Sequence, residues 1–211
     1  STDAWMETSL YTMGRIVYTY NDKYIFTGTI RRDGFSGFGE NTKFGVFPSA
    51  AAAWILSKEA FIRDEAPWLN FLKLRGSYGT TGRRSLSRYQ TLAKVSNGYS
   101  YVFGEAGTPA NGQWVSSLSN PDLKWETTTG ADLGIDFALF NSRVNGSIDY
   151  YDSKTQNILY DVPLPQMTGF KSVSINVGKV RNHGLEVALD GELIHTSRIT
   201  WKAGLPVSMN R

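Results

Sequence analysis

The sequence predicts an all-β chain, an antiparallel segment of a transmembrane β-barrel with about eight strands by the alternation criterion. Three observations support this. Apolar and polar residues alternate with period two over many stretches. Several of these stretches run longer than the roughly 5–6 residues of a soluble strand. Tight links alternate with long ones, as they do between the two rims of an outer-membrane barrel.

The elements follow in chain order. Ile16, Tyr18 and Tyr20 lead into a turn at Asn21-Asp22-Lys23. Tyr24, Phe26, Gly28 and Ile30 lead out, with Thr27, Thr29 and Arg31 on the reverse face. Phe44 to Leu56 and Leu69 to Tyr78 read as strands around a segment, Ser57 to Pro67, that suits a short helical turn. In the second of these, Leu72, Leu74, Gly76 and Tyr78 oppose Lys73, Arg75 and Ser77.

The clearest alternation spans Trp125 to Leu139. Trp125, Thr127, Thr129, Ala131, Leu133, Ile135, Phe137 and Leu139 share one face. Glu126, Thr128, Gly130, Asp132, Gly134, Asp136 and Ala138 share the other, because successive strand side chains point to opposite sides. A turn at Phe140-Asn141-Ser142 leads to Arg143–Tyr151, where Val144, Gly146, Ile148 and Tyr150 oppose Arg143, Asn145, Ser147 and Asp149. Near the end, Leu185, Val187, Leu189 and Leu193 oppose Glu186, Asp190 and Glu192. A turn at Ile194–Ser197 then precedes Ile199, Trp201, Ala203, Leu205 and Val207. Gly34–Lys43, Gly79–Asp122 and Leu159–Gly178 are the long links, and the middle one is expected to be structureless.

Composition narrows the class. Charged residues make up 19% of the 211, below the roughly 25% of ordinary domains, while Gly 21, Tyr 11, Phe 11 and Trp 6 are plentiful. No run approaches the roughly 20 apolar residues of a membrane helix. A barrel strand needs only about 9–11, and its alternation keeps mean hydropathy modest, here −0.29. Aromatics near strand ends (Tyr20, Tyr24, Tyr78, Trp125, Tyr150 and Trp201) suit the girdles at a membrane boundary. On alternation alone, a soluble β-sandwich stays open as an alternative. Both ends of the chain read as cuts, since Ser1-Thr2-Asp3-Ala4 is no signal peptide and Arg211 directly follows a strand pattern.

Little in the sequence suggests chemistry. The absence of cysteine removes thiol catalysis and thiolate metal sites. Neither His183 nor His195 has carboxylates at ligand-like spacing in a recognised motif. Gly76-x-x-Gly79-x-x-Gly82 lacks the helix and the later acidic residue of a dinucleotide site. The net charge of +3 is small, and Arg83, Arg84 and Arg88 read as a solvated loop rather than a nucleic-acid patch. No catalytic residue, metal or cofactor is expected.

Specific words then point to a family. Arg31-Arg32-Asp33-Gly34, Gly45-Val46-Phe47-Pro48-Ser49 and Leu72-Lys73-Leu74-Arg75-Gly76-Ser77-Tyr78-Gly79 resemble the barrel of SusC/RagA-type TonB-dependent transporters. So do Asn120-Pro121-Asp122-Leu123-Lys124-Trp125-Glu126, Asp149-Tyr150-Tyr151, Val162-Pro163-Leu164-Pro165 with Thr168-Gly169-Phe170, and Gly178–Glu186. The resemblance covers nearly the whole chain, and the Asn-Pro-Asp-Leu-Lys-Trp-Glu string is its most specific part.

The resemblance implies that residues 1–211 are a partial receptor barrel domain, one arc of a wall of about 22 strands. The plug and terminal strands are not in this chain. It further implies a Gram-negative outer membrane of Bacteroidetes type, energised import of a glycan or oligopeptide, and partnership with TonB and a SusD-type surface lipoprotein. A passive porin would share the alternation. Pro206 departs from the family's pattern, because mid-strand it removes a ladder donor.

Residue roles follow as expectations. Leu133, Ile135, Phe137, Ile148 and Val187 should face lipid. Arg31, Lys73, Arg75, Glu126, Asp132, Asp136, Asp149, Glu186 and Asp190 should line the lumen, with Arg31, Lys73 and Arg75 as partners for the carboxylates. Tyr99, Tyr101, Phe103 and Trp114, in the longest loop, are candidates for substrate contact through their flat faces.

Overall fold

Tight turns, with loops of three residues (21–23) and four residues (140–143), fix the register of the sheet. In the computed structural model, Lys23 N–H donates to Tyr20 C=O at 3.1 Å and Arg143 N–H to Phe140 C=O at 3.3 Å. The central residues Asn21, Asp22, Asn141 and Ser142 all have positive φ. Left-handed backbone at these positions is what such tight hairpin turns require. The structure describes residues 6–87, 90–103, 107–196 and 199–211, without the side chains of Glu40, Tyr99, Tyr101, Phe103, Thr108 and His195. Arg88 lies outside the described residues.

The strands are β1 (Ser9–Tyr20), β2 (Tyr24–Phe35), β3 (Phe44–Ile55), β4 (Leu69–Arg83), β5 (Lys94–Phe103), β6 (Thr108–Ser117), β7 (Glu126–Leu139), β8 (Val144–Pro163), β9 (Ser172–His195) and β10 (Thr200–Asn210). A short helix, α1 (Ala60–Glu65), joins β3 to β4. Eight strands form one antiparallel sheet in the order β1-β2-β3-β4-β7-β8-β9-β10, and β5 pairs with β6 alone. The connectivity is thus an up-and-down meander with one inserted hairpin.

One row of partners, Tyr20–Tyr24–Trp54–Leu74–Ile135–Ile148–Val187–Val207, crosses the whole sheet. Tyr20 is the last residue of β1, whereas Val207 lies well inside β10. This progressive stagger is what tilted barrel strands require. Leu133 is 64% exposed, and Ile135, Ile148, Tyr150, Leu185 and Leu189 are also exposed. No second sheet packs on this apolar face among the described residues, so the sandwich alternative falls.

Three expectations need correction. The link Gly79–Asp122 is not structureless, since β4 continues to Arg83 and the loop carries the β5–β6 hairpin. The link Leu159–Gly178 shrinks to residues 164–171 because β8 and β9 pair from Val144–Gly191 to Pro163–Ser172, with a bulge around Asn157. Trp125 is no girdle residue. It is 6% exposed and packs with Phe38 at 4.8 Å and Phe47 at 5.9 Å.

Trp125 belongs to the core of the long-loop end, with Phe35, Phe38, Phe47, Leu86 and Leu123. Here β3 parts from β4. Their pairing stops at Ser49–Gly79, next to Pro48, which lacks an N–H. The Phe47 ring then occupies the space where a side chain at position 82 would stand, and Gly82 leaves that space free. The Asn120–Glu126 string is the staple of this end. Leu123 is fully buried, and its carbonyl accepts from Thr42 Oγ1 at 2.8 Å. Asn120 Nδ2 donates to Ser174 C=O at 2.9 Å. Lys124 and Asn176 exchange two bonds of 3.0 Å.

Candidate functional site

The two faces of the central strands have opposite chemistry. Register places Lys73, Arg75, Glu126, Asp132, Asp136, Asp149, Glu186 and Asp190 on one face, and Arg31 on the same face of β2. Leu133, Ile135, Phe137, Ile148 and Val187 stand on the other.

On the polar face, Arg75 is the hub. Its Nε donates to Asp136 at 3.1 Å, its Nη1 lies 3.2 Å from Asp132, and its Nη2 pairs with Asp149. Lys73 Nζ donates to Asp136 at 3.1 Å. The guanidinium lies across β7 to reach Asp149 on β8. It can do so because the residue beneath it, paired to both Arg75 and Asp149, is Gly134. A Cβ there would meet Arg75 Cζ at 2.6 Å and would overlap the Asp149 carboxylate. Two cations and three carboxylates from three strands thus pair with one another and leave one net negative charge.

Arg31 does not join this network. Its Nη2 pairs with Asp33 at 3.0 Å, and its Cζ lies 5.5 Å from the Phe47 ring centroid. Asp190 and Glu126 stand apart too. Glu126 accepts from Ser85 Oγ, and Lys202 reaches Glu192 at 3.7 Å. Between hub and rim the polar face carries small neutral residues: Thr27, Thr29, Ser49, Ala51, Ser77 and Gly79 border a concavity of about 590 Å³. Arg15, Arg31, Asp132 and Asp152 line it too, so this wall presents charges beside hydroxyls and bare backbone. No cluster of three or more His, Asp or Glu suited to a metal occurs among the described residues.

In the inserted hairpin, Tyr99, Tyr101 and Phe103 occupy alternate positions of β5, paired with Gly112, Ala110 and Thr108. Their side chains lie outside the described residues. Trp114, paired with Ser96, is about one-third exposed. Arg84 is held rather than loose in solvent. It lies 4.0 Å over the Phe35 ring and 3.4 Å from Glu7.

Sequence reasoning missed Glu59. At the tight-turn end its carboxylate accepts from Lys23 at 2.8 Å, Tyr24 at 2.9 Å and Trp54 at 3.1 Å. These donors, with the Lys23 bond first, hold its pKa down at about 2. Three separate segments are tied there, and only their proximity in space reveals it.

Comparison with known proteins gives a consistent answer. The family description "TonB dependent receptor-like, beta-barrel" matches residues 2–210. TonB-dependent receptor P3 of Formosa agariphila is 42% identical over 206 residues, covering 97% of this chain and 20% of that protein. TonB-dependent receptor SusC of Bacteroides thetaiotaomicron is 35% identical over 202 residues, covering 93% of this chain and 20% of that protein. A solved structure of the RagAB peptide transporter superposes with a TM-score of 0.84 at 30% identity, over 97% of this chain and 22% of that one. The chain therefore spans about a fifth of the length of the curated relatives it matches.

Proposed function

The chain belongs to the TonB-dependent receptor β-barrel family, and from that premise we propose that it is one arc of the wall of an outer-membrane importer. The imported nutrient is an oligosaccharide or an oligopeptide. The observation that carries this reading is the sheet's two unlike faces, spread over strands whose stagger suits a tilted barrel wall. The apolar face, with Leu133, Ile135, Phe137, Ile148 and Val187, meets hydrocarbon. The polar face, with Arg31, Lys73, Arg75, Glu126, Asp132, Asp136, Asp149, Glu186 and Asp190, lines the lumen.

In this reading the wall has two physical tasks. It closes the backbone ladder so that no N–H or C=O faces lipid unpaired. It also offers the passing nutrient a surface of hydroxyls and of charges held in ion pairs within the wall. The β5–β6 hairpin, with Tyr99, Tyr101, Phe103 and Trp114, stands at the long-loop rim, where the nutrient is first met. TonB, acting through a plug, and a SusD-type lipoprotein are the partners of the whole transporter. The name of one relative, a peptide transporter, favours neither nutrient for this chain.

The test is uptake of labelled oligosaccharides and oligopeptides by cells making the full-length transporter, with and without TonB. Accumulation of one class that stops without TonB is the expected result. Accumulation that persists without TonB identifies a passive channel and overturns the reading.

A further inference from the structure

The apolar face is not evenly covered. On β1 and β2, Ile16, Tyr18 and Phe26 form a ridge, and on β4 and β7, Tyr78 and Leu133 form another. Between them the outward residues of β2, β3 and β4 are Gly28, Ala50, Ala52 and Gly76. They floor a trough of about 840 Å³. A second hollow, bordered by Tyr24, Ala52, Trp54 and Leu74, continues it toward the tight-turn end. The floor strands β2, β3 and β4 lie inside the sheet, while the first ridge draws on β1, the edge strand.

Toward the long-loop end the same outward row passes Pro48 and Val46 and reaches Arg32, the cross-strand partner of Val46. Arg32 lies on the apolar face, stacked 4.1 Å over the Phe44 ring. Among the described residues no carboxylate pairs with it, unlike Arg31, Arg75, Arg84 and Arg181. A cation on this face costs about 2–4 kcal/mol at the bilayer midplane but about 0–1 near an interface, so Arg32 marks the outer boundary.

Dimensions agree with that placement. Val46 to Ala52 spans roughly 20 Å of extended chain. With strands tilted about 40°, this descends about 15 Å, rather more than half of the roughly 25 Å apolar band of an outer-membrane barrel. One leaflet's acyl chain fits the trough with its headgroup at Arg32.

We propose that this trough and Arg32 together form a binding site for a phosphorylated, acylated lipid of the outer leaflet, the chain lying over Ala50 and Ala52 and the phosphate on the guanidinium. Arg suits the role because its fork meets phosphate oxygens two at a time, while the stacked Phe44 fixes its plane. The charge complementarity argues for an anionic lipid over a second barrel, whose own apolar face would leave Arg32 unpaired. The inference rests on the membrane-wall reading above.

The experiment is native mass spectrometry of the full-length transporter with three probes: bisphosphorylated lipid A, the same lipid without phosphates, and phosphatidylcholine. Arg32→Gln should weaken lipid A retention about tenfold, the worth of one charge-assisted contact, and leave the dephosphorylated lipid unchanged. Ala52→Phe, which fills the trough, should weaken both forms about tenfold by displacing a few methylenes. Unchanged retention in either variant overturns the site, as does phosphatidylcholine binding equal to lipid A. A dimer that Ala52→Phe dissociates overturns it in favour of a second copy. Heat-modifiable migration of the same samples separates the premises: loss of the folded-barrel band in the unmutated protein contradicts the wall reading itself, while a folded barrel with unchanged retention contradicts only the lipid site.

Discussion

The two faces of β7 occupy the same backbone and solve different problems. On one, Leu133, Ile135 and Phe137 carry no polar atom and need only an apolar solvent. On the other, Asp132 and Asp136 flank a glycine, and their charge is answered by an arginine from a neighbouring strand. The first face is specified locally, by residue type alone. The second is specified across three strands, because Arg75 spans β7 only where Gly134 leaves room. A change on the apolar face should therefore act through solvation, and one on the polar face through the fit of the network.

The largest contrast comes from Leu133→Arg, which sets a cation on the apolar face near mid-strand. It should cost about 2–4 kcal/mol in denaturant unfolding of the full-length barrel from lipid vesicles. A cost near zero would mean that this face meets water.

Next is a pair on the polar face. Gly134→Ala drives a Cβ into Arg75 and should cost about 1–3 kcal/mol, the usual range for overpacking. Gly130→Ala, on the same face of the same strand, meets nothing closer than Ser153 Cβ at 3.7 Å and should be silent in the same assay. Equal costs would separate the effect from Arg75.

Smaller still is Asp132→Asn. Both partners are about one-third exposed, and Arg75 keeps Asp136 and Asp149, so the change should stay below about 1 kcal/mol.

The weakest effect lies outside the spanning strands. Because the folded-state pKa of Glu59 is depressed to about 2 from 4.5, its contribution is complete above about 4.5 and is lost as pH falls toward about 2. Acid titration of Trp54 fluorescence should show a transition in that window, and Glu59→Gln should remove it.

The comparison also shows what was legible beforehand. The central strands were plain in the sequence, because two faces of opposite chemistry impose strict alternation on residues such as those from Ala131 to Phe137. The distal halves of β8 and β9 were not. Asp152, Ser153, Lys154 and Thr155 are polar in succession, and Arg181 bonds Asp152 on the outward side. Here both faces carry polar side chains, and the period-two signal vanishes although the ladder continues. The β5–β6 hairpin was hidden for the same reason.

On the polar face, the residue types were readable but not their pairing. Lys73 and Arg75 meet the β7 aspartates, whereas Arg31 is held by Asp33 within its own strand. The Trp125 reading failed because a tryptophan beside a strand end suits a membrane girdle and a buried loop core equally. Only Phe38 and Phe47, distant in sequence, decide between them.

The central claim is that hydrocarbon touches Leu133, Ile135 and Phe137 of β7 and water touches Asp132 and Asp136. The chain contains no cysteine, so Asp132→Cys, Leu133→Cys, Ile135→Cys, Asp136→Cys and Phe137→Cys can each carry a spin label in the full-length transporter, freed of any other cysteine and reconstituted in bilayers. Collision with dissolved oxygen should be high at 133, 135 and 137, and collision with a water-soluble nickel chelate high at 132 and 136. A flat profile, or one in which the chelate reaches 133 and 135 as readily as 132 and 136, would contradict the account.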